Sequence, residues 1–277
     1  MVHNVVVVIG VGGMGQAIAR RLGAGARLLL ADFDEQNLTA VAEELRDEGY
    51  QVSTRHVDIS SRGPVAALAS EAAALGPVHQ VAHTAGLSPV QAPVPAILAV
   101  DLVGVALVAD EFGRVIAPGG AGVFISSMAG HSYPGELTPQ EALQLATVPA
   151  EDLLALPVAA VDNFPEGAGA YGFAKRANQL RIQAASTAWG AKGARINSVS
   201  PGIISTPMGQ AELGSDNGAI MRAMTDGSNA KRLGTPSDIA AAVEFLLSPA
   251  AGFISGTDLL VDGGVTAAIH TGHITFG

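Results

Sequence analysis

The stretch Val8-Ile9-Gly10-Val11-Gly12-Gly13-Met14-Gly15-Gln16 (VIGVGGMGQ) closes a β-branched run, residues 4–9, and opens a helical one, residues 13–22. A strand, a glycine turn and a helix in that order decide the fold. Glycines let the chain turn sharply and approach a ligand closely. The helix start behind them presents N–H groups and a positive dipole end to phosphate oxygens. Two spacings coexist: G-x-G-x-x-G through Gly10, Gly12 and Gly15, and G-x-x-G-x-G through Gly10, Gly13 and Gly15. In either, the loop, with Met14 inside it, is a candidate pyrophosphate site of a dinucleotide.

Downstream, the apolar run Arg27 to Ala31 ends at Asp32, 22 residues after Gly10. A carboxylate there accepts hydrogen bonds from the adenosine ribose and repels a 2′-phosphate. Asp34 adds to that field, so NAD is expected rather than NADP, with Phe33 among the contacts. The alternative for Asp32 is a helix N-cap.

The alternation continues, with strands near 51–57, 78–83, 121–126, 194–199 and 257–261. Helical spacing marks 34–48, 63–75, 94–116, 171–190 and 236–247. With no linker or repeat, this reads as one α/β domain over 1–277, a Rossmann-type doubly wound fold of about seven parallel strands.

The rhythm breaks near 131–169. There Thr138-Pro139-Gln140-Glu141 is a capping box with proline at the first helical position, and Pro149-Ala150-Glu151-Asp152 leads a second short helix that Pro157 stops. The segment reads as an inserted helical pair, either a surface elaboration or a lid.

Hydrophobic residues make up 48% and charged residues 14%, so a large core is available and disorder is excluded. A net charge of -10 argues against nucleic-acid or anionic-membrane partners. Cysteine is absent, which removes disulfide and thiolate chemistry and suits a reducing compartment. No apolar stretch reaches the roughly 18 residues of a membrane span. The expected setting is cytoplasmic.

Tyr171 and Lys175 stand one helical turn apart, phenol and ammonium on one face. To act as a base, a tyrosine of pKa about 10 must fall to about 7, a cost of about 4 kcal/mol. One cation at about 4 Å supplies that much at an effective dielectric of about 20.

Together these residues resemble the short-chain dehydrogenase/reductase family over nearly the whole chain, most closely its 3α-hydroxysteroid dehydrogenase/carbonyl reductase branch. Tyr171 and Lys175 match the family's catalytic pair, and Ser127, ending a strand in Ser126-Ser127, matches its serine. His83-Thr84-Ala85-Gly86 resembles the N-N-A-G motif, so Thr84, Ala85 and Gly86 are implied to line the cofactor. Asp58, followed by Ile59, matches the adenine-contacting aspartate. Asn197 to Thr206 resembles the N-x-x-x-P-G segment, which implies Pro201, Gly202, Ile204 and Thr206 near the nicotinamide half. Asp262-Gly263-Gly264 resembles the closing D-G-G.

There are also departures from the family pattern. Ser127 and Tyr171 are 44 residues apart, the gap filled by the insert. Asp101 stands where the family has an asparagine that holds a relay water. Ile9 replaces a threonine, and the glycine loop is one residue short, so the resemblance implies that Gly10, Gly13 and Gly15 are the family's three glycines with one residue lost between the first two. The resemblance implies NAD-dependent interconversion of a hydrophobic secondary alcohol and a ketone by a homo-oligomer, dimer or tetramer. The alternatives are a 3-oxoacyl thioester reductase and a non-enzymatic nucleotide sensor. His131 is read as a loop residue or a substrate contact. Met208, Met221 and Met224 are read as packing or pocket lining, and His270 and His273 as surface residues.

Overall fold

In a computed structural model, residues 4–275 are described; residues 1–3 and 276–277 of the 1–277 span lie outside them. Seven strands form one parallel sheet: β1 Val5–Ile9, β2 Arg27–Asp32, β3 Gln51–His56, β4 Val78–His83, β5 Ile116–Ile125, β6 Arg195–Pro201 and β7 Asp258–Val261. Their order is β3-β2-β1-β4-β5-β6-β7. The winding reverses between β1 and β4, which opens a crevice at the carboxyl ends of those strands, the usual ligand site of such a sheet.

The central strands are buried on both faces and therefore read as unbroken apolar runs. Val5, Val7 and Ile9 of β1 pack with Leu68 of α3 (Arg62–Leu75), Leu107 of α5 (Val105–Val115) and Phe173 of α8 (Gly167–Gly190). Val6 and Val8 pack on the other face with Ile18 of α1 (Gly13–Leu22), Val41 of α2 (Glu35–Asp47) and Val243 of α11 (Pro236–Leu247).

The helical run expected near 94–116 is interrupted. It comprises α4 (Val94–Ile97), a π-helical stretch Leu98–Gly104, and α5. A π stretch adds a residue to the turn and often marks a functional site; Asp101 lies within this one.

The chain between β5 and α8 contains α6 (Met128–His131), α7 (Pro139–Thr147) and three short 3₁₀ turns, Ala150–Ala155, Pro157–Ala159 and Val161–Asn163. Both bonds of the Thr138–Glu141 capping box form. The second helix of the expected pair is 3₁₀. Arg62 ties the segment down: its guanidinium reaches Glu151 at 2.9 Å and also pairs with the buried Glu111 of α5. Arg181 of α8 donates to the Val148 carbonyl. Three further helices follow β6 and β7 without having been read from the sequence: α9 (Pro207–Leu213), α10 (Gly218–Gly227) and α12 (Val265–His270).

The first turn of α1 packs directly on the turn that leaves β1. A Cβ at Gly15 would lie 1.9 Å from the Gly10 carbonyl oxygen, whereas one at Gly12 would meet nothing within 4 Å. Gly15→Ala should therefore force helix and strand apart, lowering stability by about 1–3 kcal/mol, while Gly12→Ala melts near the wild-type temperature. Thermal unfolding of the two variants checks this; equal melting of Gly15→Ala and wild type would contradict the packing.

Candidate active site

The glycine loop divides its tasks among three positions. Gly10 turns with φ +89°, and a Cβ there would be 2.4 Å from the Ala85 nitrogen. The Thr84 and Ala85 N–H groups donate to the Ile9 carbonyl at 2.7 and 2.9 Å, and the Thr84 hydroxyl donates to the Gly10 carbonyl at 2.6 Å. Gly12 caps α1 with no side-chain acceptor, and no acid occupies the first turn. Gly13 lies against Thr206, whose Cγ2 would be 3.1 Å from a Cβ there. A turn at Gly10, an open approach at Gly12 and close packing at Gly15 are the three roles of a G-x-G-x-x-G loop. The uncapped helix start and the open face at Gly12 fit a pyrophosphate.

Asp32 closes the loop from the end of β2. Its Oδ2 accepts the Val11 N–H at 2.6 Å and its Oδ1 the Asp34 N–H at 2.9 Å. Each oxygen retains a lone pair, so the carboxylate can still accept from a ribose. The N-cap of α2 is Asp34, which accepts from Gln36 and Asn37 at 3.0 Å, so Asp32 is free of that task. Phe33 is 69% exposed, its ring 5.6 Å from that of His56. Asp58 is held by Ser60, whose N–H and hydroxyl donate to Oδ1 at 2.9 and 2.7 Å; Ile59 is buried under Gly104.

At the other end of the crevice one cleft gathers Met14, Thr84 and Gly86, then Ser127, Tyr171 and Lys175, and opposite them Pro201, Gly202, Ile204 and Thr206. Ser127 leaves β5 in extended conformation and accepts the Ala129 N–H at 3.1 Å, which leaves its own proton to donate; it neighbours Tyr171. Ser126 is committed elsewhere, donating to the Lys175 carbonyl at 2.7 Å. Lys175 Nζ lies 5.2 Å from the Tyr171 ring centre and 3.6 Å from Asp101 Oδ2. Asp101 is wholly buried behind the cleft, its Oδ1 accepting the Leu87 N–H at 2.8 Å.

The charges do not act as the pair of Tyr171 and Lys175 alone suggests. Burial raises the Tyr171 pKa above the ordinary value; Lys175 works against that rise, and Asp101 adds to it. Burial pulls the Lys175 pKa down, yet Asp101 and then Tyr171 overcome it and hold the ammonium. The expected fall of the phenol from a single cation is thus offset, first by burial and then by the carboxylate that sits against that cation. His83, stacked on Phe124 at 5.3 Å, is kept neutral by burial and then by Lys175, its pKa lowered to about 3.

Other readings resolve as well. Met208, Met221 and Met224 all line the cleft. His131 turns away to Asp258 of β7, Nε2 to Oδ2 2.7 Å. Of residues 131–169 only Ala168 reaches the cleft; the insert packs against α8 and the π-helical stretch Leu98–Gly104. The half-buried Glu212 of α9 and the wholly buried Ser88 were not singled out from sequence. The signal that would have found α9 is Thr206-Pro207, an N-cap with proline behind it.

Residues 4–139 match the family model described as short chain dehydrogenase, and residues 138–266 the one described as enoyl-(acyl carrier protein) reductase. A short-chain dehydrogenase/reductase of Alternaria brassicicola is 39% identical over 267 residues, 96% of this chain and 97% of that protein. A 3-alpha-hydroxysteroid dehydrogenase/carbonyl reductase of Comamonas testosteroni is 30% identical over 67% of this chain and 71% of its own. A short-chain type dehydrogenase/reductase from Mycobacterium ulcerans superposes with a TM-score of 0.75 at 25% identity, covering 96% of this chain and 90% of its own.

Burial, and after it Asp101, keep the Tyr171 phenol protonated, while Asp101 also holds Lys175 as the ammonium that opposes them. Asp101→Asn strips Lys175 of the carboxylate that keeps it an ammonium, and because Lys175 acts on the phenol more strongly than Asp101 does, Tyr171 should then ionise at higher pH. The chain has three tyrosines, so an ultraviolet tyrosinate titration, with Tyr171→Phe as subtraction, reads the shift. A titration unmoved by Asp101→Asn would show that the carboxylate does not act on the phenol.

Proposed function

The chain belongs to the short-chain dehydrogenase/reductase family, and from that premise we propose that it interconverts a secondary alcohol and a ketone with NAD. The observation that carries this reading is the meeting of Ser127, Tyr171 and Lys175 in one cleft at the carboxyl ends of the strands. When bound, the nicotinamide supplies a hydride acceptor for the carbinol carbon in oxidation and a donor in reduction.

The protein's part is proton transfer and charge stabilisation. Tyr171 exchanges the proton with the substrate oxygen. Ser127 donates its free proton to that oxygen as charge develops there. Lys175, kept as an ammonium by Asp101, favours the phenolate and, by family resemblance, holds the nicotinamide ribose. At the other end Asp32 accepts from the adenosine ribose, and its charge disfavours NADP.

Leu87, Met208, Ile220, Met221 and Met224 line the substrate side, which supports a hydrophobic alcohol, steroid- or terpenoid-like. The relative described as a 3-alpha-hydroxysteroid dehydrogenase/carbonyl reductase supports the same class. Among the described residues no helix is long and apolar enough to cross a membrane. A cytoplasmic homo-oligomer, dimer or tetramer, completes the proposal. A thioester reductase draws support from the description of the C-terminal family model, but Asp32 and the acidic chain oppose an NADPH-linked carrier substrate.

Steady-state kinetics on hydrophobic secondary alcohols and ketones test the reading. The expected outcome is turnover with NAD well above that with NADP, and a loss of at least ~100-fold in kcat for Tyr171→Phe. Full activity in Tyr171→Phe would overturn the mechanism. NAD binding without turnover of any alcohol or ketone would favour the nucleotide sensor. Asp32→Asn should narrow the gap between NAD and NADP.

A further inference from the structure

Glu212 is the one carboxylate in the lining of the substrate cleft, and its surroundings are largely apolar: Met208, Met221, Met224 and Ile203 line the same cleft, beside the polar Ser215 and Asn217. Its position is built. Helix α9 is capped by Thr206, whose Oγ1 accepts the Gly209 N–H at 3.1 Å, and it lies tight on the preceding turn, since a Cβ at Gly209 would be 2.1 Å from the Ile204 carbonyl oxygen. Met208 and Glu212, four residues apart, therefore share the cleft-facing side of a seated helix.

A carboxylate in an apolar wall is costly unless donors meet it. Burial accordingly raises the Glu212 pKa, and the neighbouring Ser88 hydroxyl, itself wholly buried, works the other way. No cation acts on Glu212 among the described residues, and the one ammonium in the cleft, Lys175, is engaged by Asp101 at 3.6 Å. Ser88 Oγ stands near without a hydrogen-bond partner of its own, so a carboxylate's roughly four acceptor positions stay largely unfilled. These face the same space as Tyr171, and Glu212 is near enough for its charge to oppose ionisation of that phenol.

We infer that Glu212 determines specificity, selecting substrates that carry a second hydrogen-bond donor, a hydroxyl or a protonated amine, away from the reacting carbinol. This rests on the alcohol–ketone reading above and adds the chemistry of the substrate's far end. The same carboxylate repels substrates bearing a carboxylate or phosphate there.

The test uses the holoenzyme with NAD and a matched set of secondary cycloalkanols: an unsubstituted parent, a second-hydroxyl analogue, an amino analogue and a carboxylate analogue. The readout is the ratio of kcat/KM for each analogue to that of the parent. Wild type should favour a donor-bearing analogue by at least ~10-fold and disfavour the carboxylate. In Glu212→Leu the donor ratio should collapse to one or below. Glu212→Gln, nearly isosteric, should keep a preference for the hydroxyl and lose one for the ammonium, which separates the two donors. Melting temperature and NAD binding verify that each variant is folded. Ratios equal in wild type and both variants overturn the role of Glu212 alone. No turnover of any alcohol by wild type overturns the alcohol–ketone reading beneath it.

Discussion

An ammonium that is almost wholly out of water needs a partner, and the site is arranged around that need. Lys175 is 4% exposed, and Asp101, fully buried, is the carboxylate that meets it. Removing one member of such a pair leaves the other charged and unpaired, at a cost of about 3–5 kcal/mol. Three segments are bound by this one interaction. The π-helical stretch brings Asp101 inward, the Leu87 N–H holds its second oxygen, and Gly86 leaves room. A Cβ at Gly86 would stand 3.1 Å from Asp101 Oδ1 and 3.3 Å from Lys175 Nζ.

The same pair sets the electrostatic state of Tyr171. Burial opposes its ionisation most strongly, Asp101 and Glu212 add to that, and Lys175 favours it with a smaller contribution from the Ser127 hydroxyl. With the protein's own charges alone the phenol stays protonated, a state suited to giving a proton to a ketone oxygen. Taking a proton from an alcohol calls for further positive charge in the cleft, as an oxidised nicotinamide carries.

The sheet was legible because its central strands are apolar and bounded by turn residues: 78–83 and the helix 236–247 have the expected limits. Helix α8 begins at Gly167, four residues before the start read from sequence, because Gly167-Ala168-Gly169-Ala170 has weak helix propensity and is held by packing against Pro89. The interruption around Asp101 leaves no mark in an apolar run, since hydrophobic periodicity does not distinguish a π turn from an α turn. Short helices such as α9 and α12 carry too few residues for periodicity to register. Tyr171 and Lys175 could be read from their spacing, but the carboxylate opposing them lies 74 positions from Lys175 and meets it only through the fold. Asp101 itself was placed at the site by the family resemblance, whereas Glu212, which no motif covers, was not.

One feature of the core also makes the protein its own optical reporter. The chain has a single tryptophan, Trp189, at the far end of the helix that carries Tyr171 and Lys175. Its indole donates to the Ala109 carbonyl at 3.1 Å and stands edge-on to Phe124 at 6.4 Å, which in turn stacks on His83. All indole emission from this protein therefore comes from one dry site that joins α8, α5 and the central strands. A change in that emission reports movement of α8 against the sheet, with no surface indole to obscure it.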